Sequence, residues 1–358
     1  MLSLDALRGF DMFWIIGAED IVQGLHHASQ AGLAVFLAGQ LTHRKWEGVT
    51  FYDLIFPLFV FIVGVSLVFS LSREVARDGK VAAYKRVLRR SVLLYLFGIF
   101  AYGGLSQGFE QVRLLGVLQR IALCYLFASF LFLNFKRTGL ILWCAGLLLG
   151  YWALMCFVPV PEVGAGNLEE GKNLANYIDK MYLPGRKWDG DHDPEGLLST
   201  LPAIATCLLG VFAGMLLQSA TVTDRKKVQW LLGAGILAVS AGFVWGMQFP
   251  IIKKLWTSSY VLVAGGYSAL FLAGFYWVIE ICRMQKWAIP FVWIGTNAIA
   301  IYMAHHIVSF SKIAERIVGG PVRAAVEPFG EFLIAATVLA MSFLFVRFLY
   351  QRKIFLRL

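Results

Sequence analysis

The chain has 358 residues, 59% of them hydrophobic and 15% charged, with a mean hydropathy of +0.69, a balance that excludes a soluble globular domain. A net charge of +10 raises nucleic acid as a partner, but the basic residues lie in short clusters between apolar runs. That pattern belongs to membrane orientation, and no nucleic acid is expected. Cys124, Cys144, Cys156, Cys207 and Cys282 sit in or beside apolar segments without CxxC spacing. They read as small core residues, neither a disulfide framework nor a zinc site.

Apolar windows long enough to cross a bilayer fall near 7–25, 51–71, 91–106, 114–133, 138–158, 197–217, 229–249, 258–280, 290–310 and 329–350. The predicted fold is all-α: a polytopic integral membrane helical bundle of about ten transmembrane helices. It is expected as a single domain over 1–358 with one long external loop, 159–195. The N-terminus opens with Asp5, Arg8 and Asp11 instead of a basic start and a clean apolar run. No cleavable signal is expected, and the first helix should remain as a span. A cytoplasmic N-terminus gathers Arg73 to Arg90, Lys136, Arg137, Arg225 to Lys227, Arg283, Lys286 and Arg352 to Arg357 inside, as the positive-inside rule requires. Both termini are then cytoplasmic, and His43 faces out.

The first span carries Asp5, Arg8, Asp11, Glu19 and Asp20, and ionisable groups at membrane depth are costly unless paired or facing a wet cavity. Asp5 and Arg8, at i and i+3, could simply satisfy each other. Next comes THRKWEGVTFYDLIFPLFVFIVG, Thr42 to Gly64, a polar turn with His43 leading into an apolar helix with Asp53. His43 reads either as part of a solvated loop beside an interfacial Trp46 or as a proton handler at the lip of a span. The loop from Arg73 to Arg90 carries seven cations, an orientation signal that could also attract nucleotide phosphates, with Arg89 and Arg90 as contacts.

VRLLGVLQR, Val112 to Arg120, places Arg113 before the fourth span and Arg120 a turn or two inside it. Arginine stays charged there, so Arg120 needs an anion: a carboxylate such as Glu19 or Asp53, or a substrate group. The external segment holds NLANYIDKMYL, Asn173 to Leu183, an amphipathic helix candidate. Asp193 and Pro194 read as N-cap and first residue of the sixth span, and Glu195 could face an acceptor. Trp256 in KLWTSSY is an interfacial anchor or a stacking ring. GTNAIAIYMAHH, Gly295 to His306, puts Asn297, Tyr302 and His305 in one helix, a polar trio that favours a cavity.

Taken together, SLDALRG, the His43 to Gly64 stretch, VRLLGVLQR, NxxxYID with DPEG, and GTNAIAIYMAHH resemble the heparan-alpha-glucosaminide N-acetyltransferase family over nearly the whole chain. The resemblance implies a transmembrane acyltransferase, an acetyl-CoA:amino-sugar N-acetyltransferase of bacterial type. His43 is its catalytic residue and Asp53 the partner that orients it. Glu19, Arg113, Arg120, Glu195, Trp256, Asn297 and His305 are substrate-binding candidates; Asp5, Arg8, Arg89 and Arg90 are donor-binding candidates. The implied partners are acetyl-CoA as donor, a terminal glucosamine-like amino sugar as acceptor and the lipid bilayer, with no metal and with a homodimer left open. Two positions depart from the lysosomal members, which have an amide where Glu19 stands and an acid where His306 stands. The chain is also expected to lack their separate N-terminal luminal domain, and its short architecture points to a bacterial inner membrane. Acyl-CoA is too polar to cross a bilayer, so such an enzyme presents the thioester through its own interior, and direct transfer in a ternary complex is expected. The alternative is a sugar transporter, although no inverted internal repeat is visible.

Overall fold

The structure is a computed structural model that describes residues 1–29, 31–106 and 108–356. Its regular elements are helical, with isolated β-bridges such as Glu47 to Ile252. Helix α1 (Leu2–Phe13) runs through a π turn (Trp14–Ala18) into α2 (Glu19–Ala28). The predicted first span is therefore interrupted: Gly17 sits at φ 125°, ψ 5°, which a side chain would strongly disfavour. A short α3 (Gly32–Gln40) follows, and a 3₁₀ turn (Tyr52–Leu54) opens α4 (Ile55–Ala101).

Helix α4 contains most of two predicted windows and the cationic stretch between them, so the loop expected from Arg73 to Arg90 is helical on either side of a break at Gly79. Glu74 draws its charges together, 2.7 Å from Arg86 and 3.3 Å from Arg77. Gly79 (φ 81°, ψ 175°) divides the element into two helices. Then come α5 (Val117–Asn134), α6 (Arg137–Phe157), α7 (Leu174–Tyr182), α8 (Thr200–Gln218), α9 (Asp224–Gly246) and α10 (Ser258–Tyr276). The chain ends with α11 (Ile289–Thr296), α12 (Ala298–Ile307), α13 (Phe310–Val318), α14 (Pro321–Ala325) and α15 (Gly330–Gln351).

Among the described residues, seven helices are long and apolar enough to cross a membrane, or up to eight if the pair 286–296 and 298–307, bent by 61°, is one span. Ten separate spanning helices are not reproduced. The first window is broken by its own polar residues and Gly17, two windows share α4, and the ninth is the bent pair.

The chain divides into two compact units. The first comprises Met1–Arg44, Thr50–Phe56 and the chain from Gly274 onward. Here α1 packs against α11, and α15 packs against α2, α11 and α13. The α1 to α11 approach is close because Gly9 lies on the Phe291 carbonyl and Gly295 on the Asp5 carbonyl. The second unit comprises Lys45–Val49 and Pro57–Ala273. The apolar cores of α4 and α8 are its most enclosed spans, and α8 packs against α5 and α6. Outer helices α6 and α9 expose Leu142, Trp143, Leu149, Trp230, Leu237 and Val244, and α15 exposes Leu344 and Phe348. Helices with fully paired backbones and apolar outer faces of this kind suit lipid, not water. The protein is an integral membrane protein. Cys124, Cys144 and Cys207 are buried as expected, whereas Cys282 is exposed beyond the end of α10.

Candidate active site

His43 lies in the turn after α3, and Asp53 lies in the 3₁₀ turn that opens α4. Their side chains meet: His43 Nδ1 is 2.8 Å from Asp53 Oδ1. The carboxylate is completely buried while the imidazole is 51% exposed, so one edge of the ring is fixed and the other faces outward. The second oxygen of Asp53 accepts from the Thr50 N–H at 3.1 Å and the Arg44 N–H at 3.3 Å, with the Thr50 hydroxyl 3.0 Å away. These contacts fix the carboxylate in place beside the ring. Thr50 is a residue that the sequence reading missed. Its signal is present, since T-x-x-D is a capping-box pattern in which the acid reaches back to the N–H of the cap. The His43 ring also stacks on Tyr52 at 4.6 Å, and the Tyr52 hydroxyl is hydrogen-bonded to Glu19. His43, Asp53, Tyr52 and Glu19 thus form one constellation in the first unit.

Other expected residues of that unit have separate environments. Arg8 Nη1 lies 3.2 Å from Asp5 Oδ1 and donates to the Gly295 carbonyl at 3.2 Å, the pairing that their spacing implied. Asn297, Tyr302 and His305 do not share one helix. Asn297 occupies the bend between α11 and α12, buried, with neither amide atom hydrogen-bonded among the described residues. His305 Nε2 pairs with Ser342 Oγ at 2.8 Å, and its ring lies against Phe310.

The second unit holds a different cluster. Arg113 grips Asp193 with both ends of its fork, Nε to Oδ2 at 2.9 Å and Nη2 to Oδ1 at 2.7 Å, and reaches Glu195 Oε2 at 2.6 Å. The guanidinium lies between the rings of Tyr102 and Trp188, at 4.6 and 4.9 Å from their centroids. Burial alone would lower the Arg113 pKa, but the Asp193 hydrogen bond and the two carboxylate charges outweigh it and the net shift is upward. Burial raises Glu195, against the pull of Arg120 and Arg113. Asp193 is thus not the N-cap of a span: α8 begins at Thr200, because Asp193 is committed to Arg113 and the intervening residues form turns.

Arg120 is fully buried, and its Nη2 donates to the Gly196 carbonyl at 3.1 Å and Ser199 Oγ at 2.5 Å. Its hydrogen bonds therefore go to neutral acceptors, not to the Glu19 or Asp53 carboxylates expected for it. Glu195 supplies negative charge nearby, as does Asp179, which accepts from the Leu197 and Asp193 N–H groups. Trp256 is neither an interfacial anchor nor an open stacking ring. It is 1% exposed, its indole N–H donates to Thr206 Oγ1 at 3.0 Å, and Arg120 lies over its face. Trp46 is likewise held inward, donating to the Leu168 carbonyl at 3.0 Å. On α4, Arg89 is exposed and Arg90 stacks on Tyr125 at 4.7 Å.

Fold and site define an α-helical integral membrane protein with a histidine–aspartate pair fit for proton transfer. A family profile described as a domain of unknown function (DUF5009) matches residues 1–173. Heparan-alpha-glucosaminide N-acetyltransferase of Homo sapiens is 29% identical over 333 residues, covering 74% of this chain and 48% of the human protein. The Mus musculus protein of the same name is 27% identical over 329 residues, with 74% and 49% covered. The chain is thus similar to two proteins named heparan-alpha-glucosaminide N-acetyltransferase, and it spans about half the length of the curated relatives it matches.

Proposed function

We propose that the chain is a transmembrane acetyltransferase moving an acetyl group from cytoplasmic acetyl-CoA to the amine of a terminal glucosamine-like sugar on the external side. The observation that carries this reading is the 2.8 Å contact of His43 Nδ1 with a buried, multiply hydrogen-bonded Asp53. It stands in a chain related to proteins named N-acetyltransferases. Asp53 selects the tautomer with a proton on Nδ1 and stabilises the imidazolium when it forms. His43 Nε2 then takes a proton from the attacking amine as its nitrogen bonds to the thioester carbonyl carbon. The C–S bond breaks, and the same proton passes to the departing CoA sulfur, giving amide and thiol. Asn297, buried and uncommitted, is the better candidate to polarise the carbonyl, since His305 is engaged by Ser342. Glu19, tied to Tyr52, is assigned to the acceptor, with Arg113, Arg120 and Glu195 as further binding residues. Arg89 and Arg90 suit the CoA phosphates, and Asp5 with Arg8 is assigned to the donor side.

The test uses purified protein, labelled acetyl-CoA and a panel of amino sugars. Wild type is expected to label the sugar amine, and His43→Ala to lower turnover by about 10²- to 10⁴-fold while acetyl-CoA binding persists. Without acceptor, no burst of free CoA is expected; a stoichiometric burst with label on a His43 peptide assigns a covalent route instead. Saccharide transport without any acetylation overturns the enzyme reading.

A further inference from the structure

In the external loop of the second unit, a second histidine faces carboxylates in a different way. His192 is buried, with a side-chain exposure of 7%. Its Nδ1 is held by Asp191 Oδ1 at 2.8 Å. Its Nε2 has no hydrogen-bond partner among the described residues, yet it points at two carboxylate oxygens, Glu170 Oε1 at 3.7 Å and Asp189 Oδ2 at 3.9 Å. In the tautomer that Asp191 selects, Nε2 carries a lone pair. Three electron-rich atoms then converge, and those distances are too long for hydrogen bonds from an imidazolium. The ligand atoms all lie within 4.8 Å of one another. A zinc-type dication, with bonds of about 2.0–2.2 Å to each, wants such atoms about 3.4 Å apart, so closure shortens the two histidine–carboxylate distances by up to about 0.5 Å and draws the two carboxylates together by up to about 1.4 Å, which side-chain rotation at the exposed Glu170 can supply. The orientation of His192 by Asp191 is the arrangement in which a carboxylate fixes a metal-binding imidazole.

Part of the negative charge is met by Lys254, whose Nζ lies 2.6 Å from Glu170 Oε1 and 2.9 Å from Asp189 Oδ2. That single ammonium contacts both acids but offsets only one of their two charges, and it leaves the His192 lone pair unused. Lys254 is 29% exposed, so it can swing into water and yield its place.

We propose that Glu170, Asp189 and His192 form a binding site for a borderline divalent metal ion of the zinc class, with Asp191 orienting His192 and Lys254 as the cation that the metal displaces. One imidazole and two carboxylates suit such an ion, since calcium prefers a shell of oxygens. The site ties the stretch around Glu170 to the stretch from Asp189 to His192 within the same loop and is independent of the acetyl-transfer reading. It departs from the expectation of no metal, which rested on cysteines without CxxC spacing and on the resemblance, neither of which bears on residues 170, 189 and 192.

The experiment titrates chelator-stripped, purified full-length protein with Zn²⁺, reading stoichiometry by calorimetry and unfolding temperature in parallel. Wild type is expected to bind at a saturable site that raises the unfolding temperature and is lost in His192→Ala. Asp191→Asn, which keeps all three ligands, should bind about 10- to 100-fold more weakly. Lys254→Met should bind more tightly than wild type, the opposite of what a lysine-only salt-bridge cluster would do. Should His192→Ala fail to fold, the opposed effects of Asp191→Asn and Lys254→Met still decide. Zn²⁺ binding absent from both wild type and Lys254→Met, binding unchanged in His192→Ala, or a response to Ca²⁺ alone would overturn the proposal.

Discussion

A histidine beside an aspartate is common, and what separates His43 from His305 and His192 is how each ring is held. His43 is half exposed and anchored at Nδ1 by a buried carboxylate, the arrangement on which its proposed role in proton transfer rests. His305 spends its Nε2 on Ser342, a fold-holding role. Arg113 is the clearest case of a charge that the structure cannot lose cheaply. It is 4% exposed and shared by Asp193 and Glu195, so Arg113→Met strands two buried acids. Breaking a buried pair by removing one partner costs about 3–5 kcal/mol. The expected outcome is a marked fall in the unfolding temperature of the detergent-solubilised protein, largely recovered when Asp193→Asn and Glu195→Gln are added. Failure of the double addition to recover stability would indicate that the aromatic sandwich with Tyr102 and Trp188, and not the charge, is what Arg113 provides. His43 and Asp53 were legible through the family resemblance, whose motif lies in one short segment with the two residues ten apart. The partners of Arg113 were not, since Asp193 and Glu195 are distant in the chain and meet it only after folding.

At the scale of elements, α1 and α11 approach until backbone touches backbone, with Gly9 and Gly295 at the contact. In lipid, helices gain no hydrophobic drive toward one another, and small residues that permit close packing take its place. A methyl on Gly295 would overlap the Asp5 carbonyl oxygen, and overpacking of this kind typically costs about 1–3 kcal/mol. Gly295→Ala is therefore expected to lower the unfolding temperature and, because Asn297 follows two residues later at the bend, to lower acetyl transfer as well. Gly39→Ala, with nothing within 4 Å of the new methyl, is the control and should leave both unchanged. Periodicity and hydropathy located α5, α6, α8, α9, α10 and α15 closely. They failed where polar residues or glycine interrupt a helix without ending the apolar run, at Gly17 and Asn297, and where a charged stretch read as loop, between residues 72 and 90, is helical on both sides of a break at Gly79. Twelve residues along one straight helix would separate Glu74 from Arg86 by about 18 Å, so the two meet because the chain bends at Gly79.

For the whole molecule, the decisive experiment is topological. Single cysteines at Ser29 and Asn167, in a background where the exposed Cys282 is replaced by serine, are expected to react with an impermeant thiol reagent from outside. One at Asp78 should not react. The reverse pattern would place His43 on the side where acetyl-CoA is made and remove the need for transfer across the membrane. Composition and hydropathy by themselves determined that this chain is helical and belongs in a bilayer, because every backbone polar group must be paired inside lipid and the apolar runs are too long for a soluble core. The histidine–aspartate pair came from the family resemblance of the Thr42 to Gly64 stretch, since the residues of that window alone left a solvated loop open. Tertiary structure alone decided that Trp256 is buried beneath Arg120, that Arg120 hydrogen-bonds Gly196 and Ser199, that Asp193 serves Arg113 instead of capping α8, and that His192 faces Glu170 and Asp189. Each of these depends on which distant segments come within about 3 Å for a hydrogen bond, or somewhat farther for a ring or ion contact, and residue type does not encode that distance.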